Sequence, residues 1–258
     1  MKVATWNVNS LRVRLDQVRD WLETERPDVL GLQETKLTDD KFPAGELAEL
    51  GYRSAFSGQP TYNGVALLTR EPVEDLATEI DGFEDPQRRV LAATLDGLRI
   101  LNLYVPNGQA VGSQKYDYKL AWLAALEDQL RRDLETYEHV IVMGDFNIAP
   151  ADEDVHDPVA WKGKILCSDA ERAALAGITA LGLNDVFRQF NQPEKSFSWW
   201  DYRAAAFRRN FGLRIDLILA STGLAASCTA CGIDKEPRRL ERPSDHTPVF
   251  AIFGDPNS

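Results

Sequence analysis

An α/β layered sandwich with mixed strands is predicted for this 258-residue chain by three features. Apolar, β-branched runs at residues 2–6 and 29–32 flank a stretch with helical spacing, a strand-helix-strand unit. Alternating runs at 90–95 and 98–104 are joined by Asp96-Gly97, a strong hairpin signal. A long amphipathic stretch at 115–134 then returns the chain to a further buried-strand run at 139–143. Crossovers and hairpins together fit layered mixed sheets better than a purely parallel doubly wound sheet.

The elements follow in order. Ser10 is placed to cap a helix from Leu11 to about Glu25, in which Leu11, Leu15, Val18 and Leu22 recur at helical spacing and Pro27-Asp28 stops the run. The strands on either side end in polar residues, Asn7 and Glu34, and as a crossover pair they bring those ends side by side. Short β-like runs fill 52–104, including 64–69, and Tyr104 stands at a strand end before Val105-Pro106-Asn107-Gly108. The 115–134 helix carries Leu120, Leu123, Leu126, Leu130 and Leu134 on one stripe. After the 139–143 strand comes Gly144-Asp145-Phe146-Asn147. Continued extension would put Asp145 and Asn147 on one face and Phe146 in the core. Residues 152–164 read as an acidic surface loop with His156 and Trp161, followed by helices at 169–181 and 185–190. Strands at 215–220, containing Asp216, and at 249–253, just after Ser244-Asp245-His246, complete the set. No short internal repeat is present, although polar strand ends occur in both halves.

At 44% hydrophobic the chain buries a substantial core, and no Gly/Ser/Pro tract divides it, so one domain spanning 1–258 is expected. No apolar run reaches bilayer length, and Thr5, Asn7, Asn9 and Ser10 stand where a signal peptide needs an apolar block, so a cytoplasmic protein with no membrane partner is expected. Cys167, Cys228 and Cys231 make no disulfide framework, and the Cys228/Cys231 pair lacks the second ligand pair a zinc site needs. A net charge of −11 argues against bulk coating of nucleic acid but leaves room for a local basic groove.

The strand ends collect Asn7, Glu34, Tyr104, Asp145, Asn147, Asp216, Asp245 and His246. Each alone has an ordinary explanation as a cap or turn. Together they match one task. Mg²⁺, or Mn²⁺ in its place, takes oxygen ligands and leans on one or two carboxylates plus substrate phosphate, for which Glu34 and Asp245 are candidates. Phosphodiester hydrolysis also needs an oriented water, stabilisation of developing negative charge and a proton source for the leaving oxygen, roles open to Asp145, Asn147, His246 and Tyr104, with Asp216 orienting His246.

Six segments carry a resemblance: Trp6-Asn7-Val8-Asn9, Leu32-Gln33-Glu34-Thr35-Lys36, Leu103-Tyr104-Val105-Pro106-Asn107-Gly108, Gly144-Asp145-Phe146-Asn147, Leu213-Arg214-Ile215-Asp216 and Ser244-Asp245-His246. In this order and spacing the chain resembles the exonuclease III family of DNA repair nucleases, within the endonuclease/exonuclease/phosphatase superfamily. The resemblance implies a four-layer αββα sandwich with two β-sheets face to face and the site at one edge. It implies Glu34 as principal metal ligand, with Asn7, Asp145, Asn147, Asp245 and His246 as nearby or alternative ligands. It makes Asp145 the proton-transfer residue and Asn147 the group that positions water. Tyr104 acts at the phosphate or leaving oxygen, and the Asp216-His246 pair binds and polarises the phosphoryl group. Asn9 stands where some members carry an aspartate, which weakens the case for a second tightly bound metal.

The flanks address substrate. Residues 203–214 hold Arg203, Arg208, Arg209 and Arg214 with no acid, and residues 235–242 add Arg238, Arg239 and Arg242, a local patch suited to a phosphate backbone. Arg88 and Arg89 either join it or pair internally. By resemblance, Trp199, Leu213 and Ile215 form an apolar pocket for a base-less sugar or terminal nucleotide, with Asn107 also at the DNA. The expectation is a monomeric, metal-dependent hydrolase that incises duplex DNA 5′ to abasic sites and trims blocked 3′ ends. The alternatives are a 3′-end-specific exonuclease or phosphatase, a phosphodiesterase on lipid or inositol head groups, and a catalytically silent DNA-binding protein.

Overall fold

In the computed structural model, which describes residues 1–254, the strands form two six-stranded mixed sheets. Across the first sheet the strands lie in the order 228–233, 249–253, 2–7, 29–33, 65–69 and 53–57, and across the second 74–77, 90–95, 98–104, 139–145, 216–221 and 183–185. The first contains β1 (Lys2–Asn7), β2 (Val29–Gln33), β3 (Arg53–Ser57), β4 (Val65–Thr69), β11 (Cys228–Ile233) and β12 (Val249–Phe253). The second contains β5 (Glu74–Ala77), β6 (Val90–Leu95), β7 (Leu98–Tyr104), β8 (His139–Asp145), β9 (Leu183–Asp185) and β10 (Asp216–Ser221).

Both sheets repeat one pattern. A parallel pair, β1/β2 or β7/β8, sits at the centre, and every other neighbour is antiparallel. Each pair is spanned by a helix, α1 (Leu11–Glu25) or α3 (Gln114–Thr136), because parallel strands need a long crossover. Asn7 and Tyr104 therefore end equivalent strands, as do Gln33 and Asp145. The likeness lies in topology and leaves no short sequence repeat.

The inner faces interdigitate through Val3, Val29 and Leu67 of one sheet and Ile100, Ile141 and Ile218 of the other. On the outer face of the first sheet, Leu11, Val18 and Leu22 of α1 cover Ala4, Trp6 and Leu30. On the outer face of the second, Trp122, Leu126 and Leu130 of α3 and Leu175 and Ile178 of α5 (Asp169–Ala180) cover Leu101, Val140 and Val142. This is the αββα order. Strands buried on both faces read as continuous apolar runs, and Val65–Thr69 and Val90–Leu95 are buried throughout. A polar contact crosses the inter-sheet core. Asn102 of β7 donates to the carbonyls of Leu32 (3.0 Å) and Ala66 (2.9 Å) and accepts from Gln33 (2.6 Å). Gly31 leaves it room, since a Cβ there would lie 2.7 Å from its Oδ1.

Several local expectations change. Ser10 has φ 91° and makes no side-chain cap; α1 begins instead on main-chain bonds from Ser10 and Leu11 to Glu34 and Thr35. Residues 152–164 are not purely loop but hold a 3-10 turn and α4 (Pro158–Trp161). The 185–190 segment is a 3-10 helix, Val186–Gln189, preceded by β9. On α3, Lys119 is buried and Leu120 only half so. Among the described residues no helix is long and apolar enough to cross a membrane.

Candidate active site

The site forms where the C-terminal ends of the two parallel pairs meet. Asn7, at the end of β1, is buried and donates through Nδ2 to Glu34 Oε1 (3.0 Å) and Asp145 Oδ2 (2.9 Å), so one amide joins carboxylates carried by the two sheets. Asp145 pairs across β10 with Asp216 in register. His246 sits between them, Nδ1 at 2.9 Å from Asp216 Oδ2 and Nε2 at 3.6 Å from Asp145 Oδ2. Among the described residues these three form a group of side chains that could ligate a metal, their candidate atoms all within 4.8 Å of one another.

Extension does not continue past Asp145. Asn147 has φ 49°, and its N–H turns back onto Asp145 Oδ1 (2.9 Å). The two side chains meet through this turn rather than by strand alternation, while Phe146 is fully buried as expected. The Asn147 Nδ2 donates to the Val105 carbonyl (3.0 Å) and its Oδ1 accepts from Asn107 Nδ2 (3.1 Å). Glu34 also lies in the left-handed region, at φ 52°. Such backbone is costly away from glycine and is retained where geometry demands it.

Electrostatics follow from burial and charge. Burial pushes the Asp145 carboxyl up to about 7, against the opposing pull of His246. Burial alone would lower the His246 imidazolium, but the Asp216 and Asp145 carboxylates outweigh it and raise it to about 10. Burial, with Glu34 and Asp145 nearby, holds the Tyr104 phenol well above its ordinary range. The Arg89 guanidinium lies over the Tyr104 ring at 4.7 Å and donates to the Tyr104 carbonyl (3.1 Å). From Tyr104 a cleft of about 740 Å³ runs past Asn107 to Lys115.

Asp245 accepts from Trp199 Nε1 (3.0 Å) and Asn9 Nδ2 (2.9 Å), which draws it and the tryptophan to the same rim. Lys36 reaches Glu34 Oε2 at 2.9 Å. Trp199 is half-buried, while Leu213 and Ile215 lie beneath it at 0% and 1% exposure, packed with Ala149, Val155, Leu166 and Cys167. Trp200 is core.

The basic patch shrinks. Arg214 is buried against Asp154 (2.6 Å) and Asp185 (2.7 Å), and Arg203 pairs with Asp201 (2.7 Å) just upstream. Arg238 is buried, donating to the Trp200 carbonyl (3.0 Å) with Tyr202 and Phe207 beside it, and Arg239 lies 3.2 Å from Glu236. Arg208, Arg209 and Arg242 remain exposed, as do the paired Arg203 and Arg239, with Arg209 over the Phe211 ring at 4.1 Å. Spacing could not show this, because the partners of Arg214 lie 60 and 29 residues away.

Sequence reasoning passed over Ser198. Its hydroxyl donates to Asp216 Oδ2 (2.7 Å) and accepts from the N–H groups of Ile215 and Asp216, both at 3.1 Å. It also passed over Lys119, which donates to the carbonyls of Asn147 and Asn107. Neither is a strand-end residue, and only a lysine on an otherwise apolar helix stripe hinted at the second.

A model of the endonuclease/exonuclease/phosphatase family matches residues 4–246, spanning all these strand ends. The chain belongs to that family. Within the endonuclease/exonuclease/phosphatase family it is 37% identical to exodeoxyribonuclease III of Haemophilus influenzae, over 98% of this chain and 100% of the relative. The 3′ phosphatase NExo from Neisseria, solved bound to a product DNA hairpin, superposes with a TM-score of 0.97 at 47% identity, covering 99% of this chain and 100% of that one. An AP endonuclease from Archaeoglobus fulgidus gives 0.95 at 38% identity, with the same coverage of both chains.

Proposed function

We propose that this chain is a metal-dependent DNA repair phosphodiesterase that cleaves duplex DNA 5′ to abasic sites and removes nucleotides or blocking groups, including phosphate, from 3′ ends. The observation that carries the reading is the linked set Glu34–Asn7–Asp145–His246–Asp216, in which the Asn7 amide bonds one carboxylate from each sheet and the His246 imidazole bonds Asp216 and lies 3.6 Å from Asp145 as an ion pair. Family membership and likeness to exodeoxyribonuclease III, a 3′ phosphatase and an AP endonuclease supply the nucleic-acid context.

The donors suit a hard divalent cation. Four carboxylates, Glu34, Asp145, Asp216 and Asp245, face one imidazole and Lys36, and burial holds one of them up to about 7. A cation offsets that excess negative charge, and the oxygen-rich set fits Mg²⁺, or Mn²⁺. Glu34 would be its principal ligand, with Asn7, Asp145, Asn147 and Asp245 as neighbouring or alternative ones, and His246 only where its ring has given up a proton. The metal's chemistry is to polarise a phosphoryl oxygen and offset developing charge. The chain's own groups do the rest. Asp145 takes or gives the proton at the reacting oxygen, and Asn147 orients water. Imidazolium His246, held by Asp216, steadies the phosphoryl charge, and the un-ionised Tyr104 phenol donates near the phosphate or leaving oxygen. Trp199, above Leu213 and Ile215, meets the sugar, while Asn107, Arg208 and Arg209 meet the phosphodiester backbone.

A 3′-end-specific variant of this function has its own support. The 47% identity to a 3′ phosphatase exceeds the 38% to the archaeal AP endonuclease, and Leu213 and Ile215 leave little open apolar surface. We take the whole chain to be one catalytic domain, acting as a monomer in the cytoplasm, where three free cysteines suit a reducing milieu. One labelled duplex set tests the function: an internal abasic analogue, a 3′-phosphate end and an undamaged recessed 3′ end, each with Mg²⁺ and with chelator. Incision at the abasic site supports the full reading. Cleavage confined to 3′ ends selects the variant, and no turnover on any DNA overturns both.

A further inference from the structure

Lys119 and Glu171 are ionisable groups with 0% side-chain exposure, paired at 2.5 Å. A buried pair of this kind adds little stability over apolar residues of the same volume, because desolvation offsets the attraction. What distinguishes it is where its remaining bonds go. The Lys119 ammonium donates to the carbonyl of Asn147 (2.7 Å) and to that of Asn107 (3.2 Å). Those are the two residues whose side-chain amides bond each other at the site, at 3.1 Å. One ammonium thus holds the main chains of both members of that amide pair. Glu171 in turn accepts the N–H of Leu166 (3.0 Å) on one oxygen, and the N–H (3.1 Å) and hydroxyl (2.6 Å) of Ser168 on the other. Leu166 packs with Leu213 and Ile215, and its carbonyl accepts the N–H of Ala149 (2.8 Å). The pair is therefore continuous from the Asn147 turn to the apolar wall under Trp199.

We propose that Lys119 and Glu171 are positioning residues for Asn147: the ammonium fixes the strained Asn147 turn against the Asn107 loop, and the carboxylate locks that anchor to the turn at 166–168. The inference rests on the function proposed for Asn147. Neither side chain touches substrate; both act through the backbone they hold. An apolar residue in place of Lys119 frees the carbonyls of Asn147 and Asn107 and leaves the buried Glu171 carboxylate without its cation, so the Asn147 amide loses its fixed direction, while of the proposed DNA contacts only Asn107 is loosened.

The test compares Lys119→Met and Glu171→Gln with the parent on the labelled duplexes, separating kcat from KM and recording the folded fraction by circular dichroism. Glu171→Gln keeps the volume and a carbonyl acceptor while removing the charge, so it reports even where Lys119→Met fails to fold. The expected result is a fall in kcat per folded molecule of about 10–100-fold for Lys119→Met, the range for residues that orient ligating groups, and a smaller fall in the same direction for Glu171→Gln. KM is expected to change much less than kcat, since Trp199, Arg208 and Arg209 keep their places and Asn107 alone among the proposed DNA contacts is held by Lys119. Two results overturn the inference: kcat per folded molecule within twofold of the parent in both variants, so that activity only tracks the folded fraction, or a change confined to KM. A parent without turnover on DNA defeats the proposed function instead, so the two failures are distinct.

Discussion

The Asp216 carboxylate is held from two sides, by His246 Nδ1 and by the Ser198 hydroxyl, which the N–H groups of residues 215 and 216 fix in turn. Ser198→Ala removes one of the two donors to Asp216 Oδ2, leaving His246 Nδ1 alone on it, and strips the N–H groups of residues 215 and 216 of their acceptor, which loosens the carboxylate that holds the imidazole. The kcat is expected to fall about tenfold with binding little changed, as for other orienting hydrogen bonds. Steady-state kinetics on the 3′-phosphate duplex check this. The same geometry sets the charge of His246. Folding raises its proton affinity from 6.5 to about 10. The charged form therefore stabilises the fold fully below about pH 6.5, and that contribution is lost as pH rises through about 10. In chelator, the His246 ring is expected to keep both N–H protons from pH 6 to 8, read from its ¹⁵N shifts in an NMR series, with only a small perturbation as neighbouring Asp145 titrates at about 7; loss of a ring proton with a midpoint near 6.5 contradicts the ion-pair account.

At the scale of elements, the β7/β8 pair carries Tyr104 and Asp145 side by side, and Gly144 makes the approach feasible. It has φ 145°, and a Cβ there would lie 1.9 Å from the Leu103 carbonyl oxygen. Gly144→Ala is expected to destabilise the fold by about 3 kcal/mol, read as a fall of about 6–12 °C in Tm for a chain of this size. The elements legible in the sequence share one property: they are buried on a periodic face. The 90–95 and 98–104 hairpin and the 249–253 strand lie where the pattern put them, and α1 and α3 fall within two residues at each end. Elements without that pattern escaped. β3, β5 and β11 are edge or near-edge strands with exposed positions. β9 is three residues long. The residues brought together at the site were legible because polar side chains at the ends of apolar runs have few other reasons to recur. Ser198, Lys119 and the true partners of Arg214 and Arg238 were not, because each depends on a contact distant in sequence.

Across the whole molecule, two halves with the same strand pattern meet with their polar ends at one edge. Glu34 and Asn7 come from the first, Tyr104, Asp145 and Asp216 from the second. Asn102 bonds the two sheets behind that edge, reaching Gln33, the neighbour of Glu34. The seam between halves is thus the site itself, and a chain folded through one half alone could not assemble it. A cation at this seam draws on both halves, and Glu34, with Asp245 at the rim, is the first sheet's carboxylate bonded through Asn7 to Asp145. The most direct test is turnover of the abasic and 3′-phosphate duplexes by the parent and by Glu34→Ala, each in saturating Mg²⁺ and in chelator, with folding confirmed by circular dichroism. Loss of a principal ligand is worth several kcal/mol of transition-state stabilisation, so Glu34→Ala is expected to be slower by about a thousandfold or more while folded, and chelator is expected to silence the parent. Parent-like turnover by folded Glu34→Ala, or turnover by the parent in chelator, contradicts the assignment of this seam as a metal-dependent phosphodiesterase site.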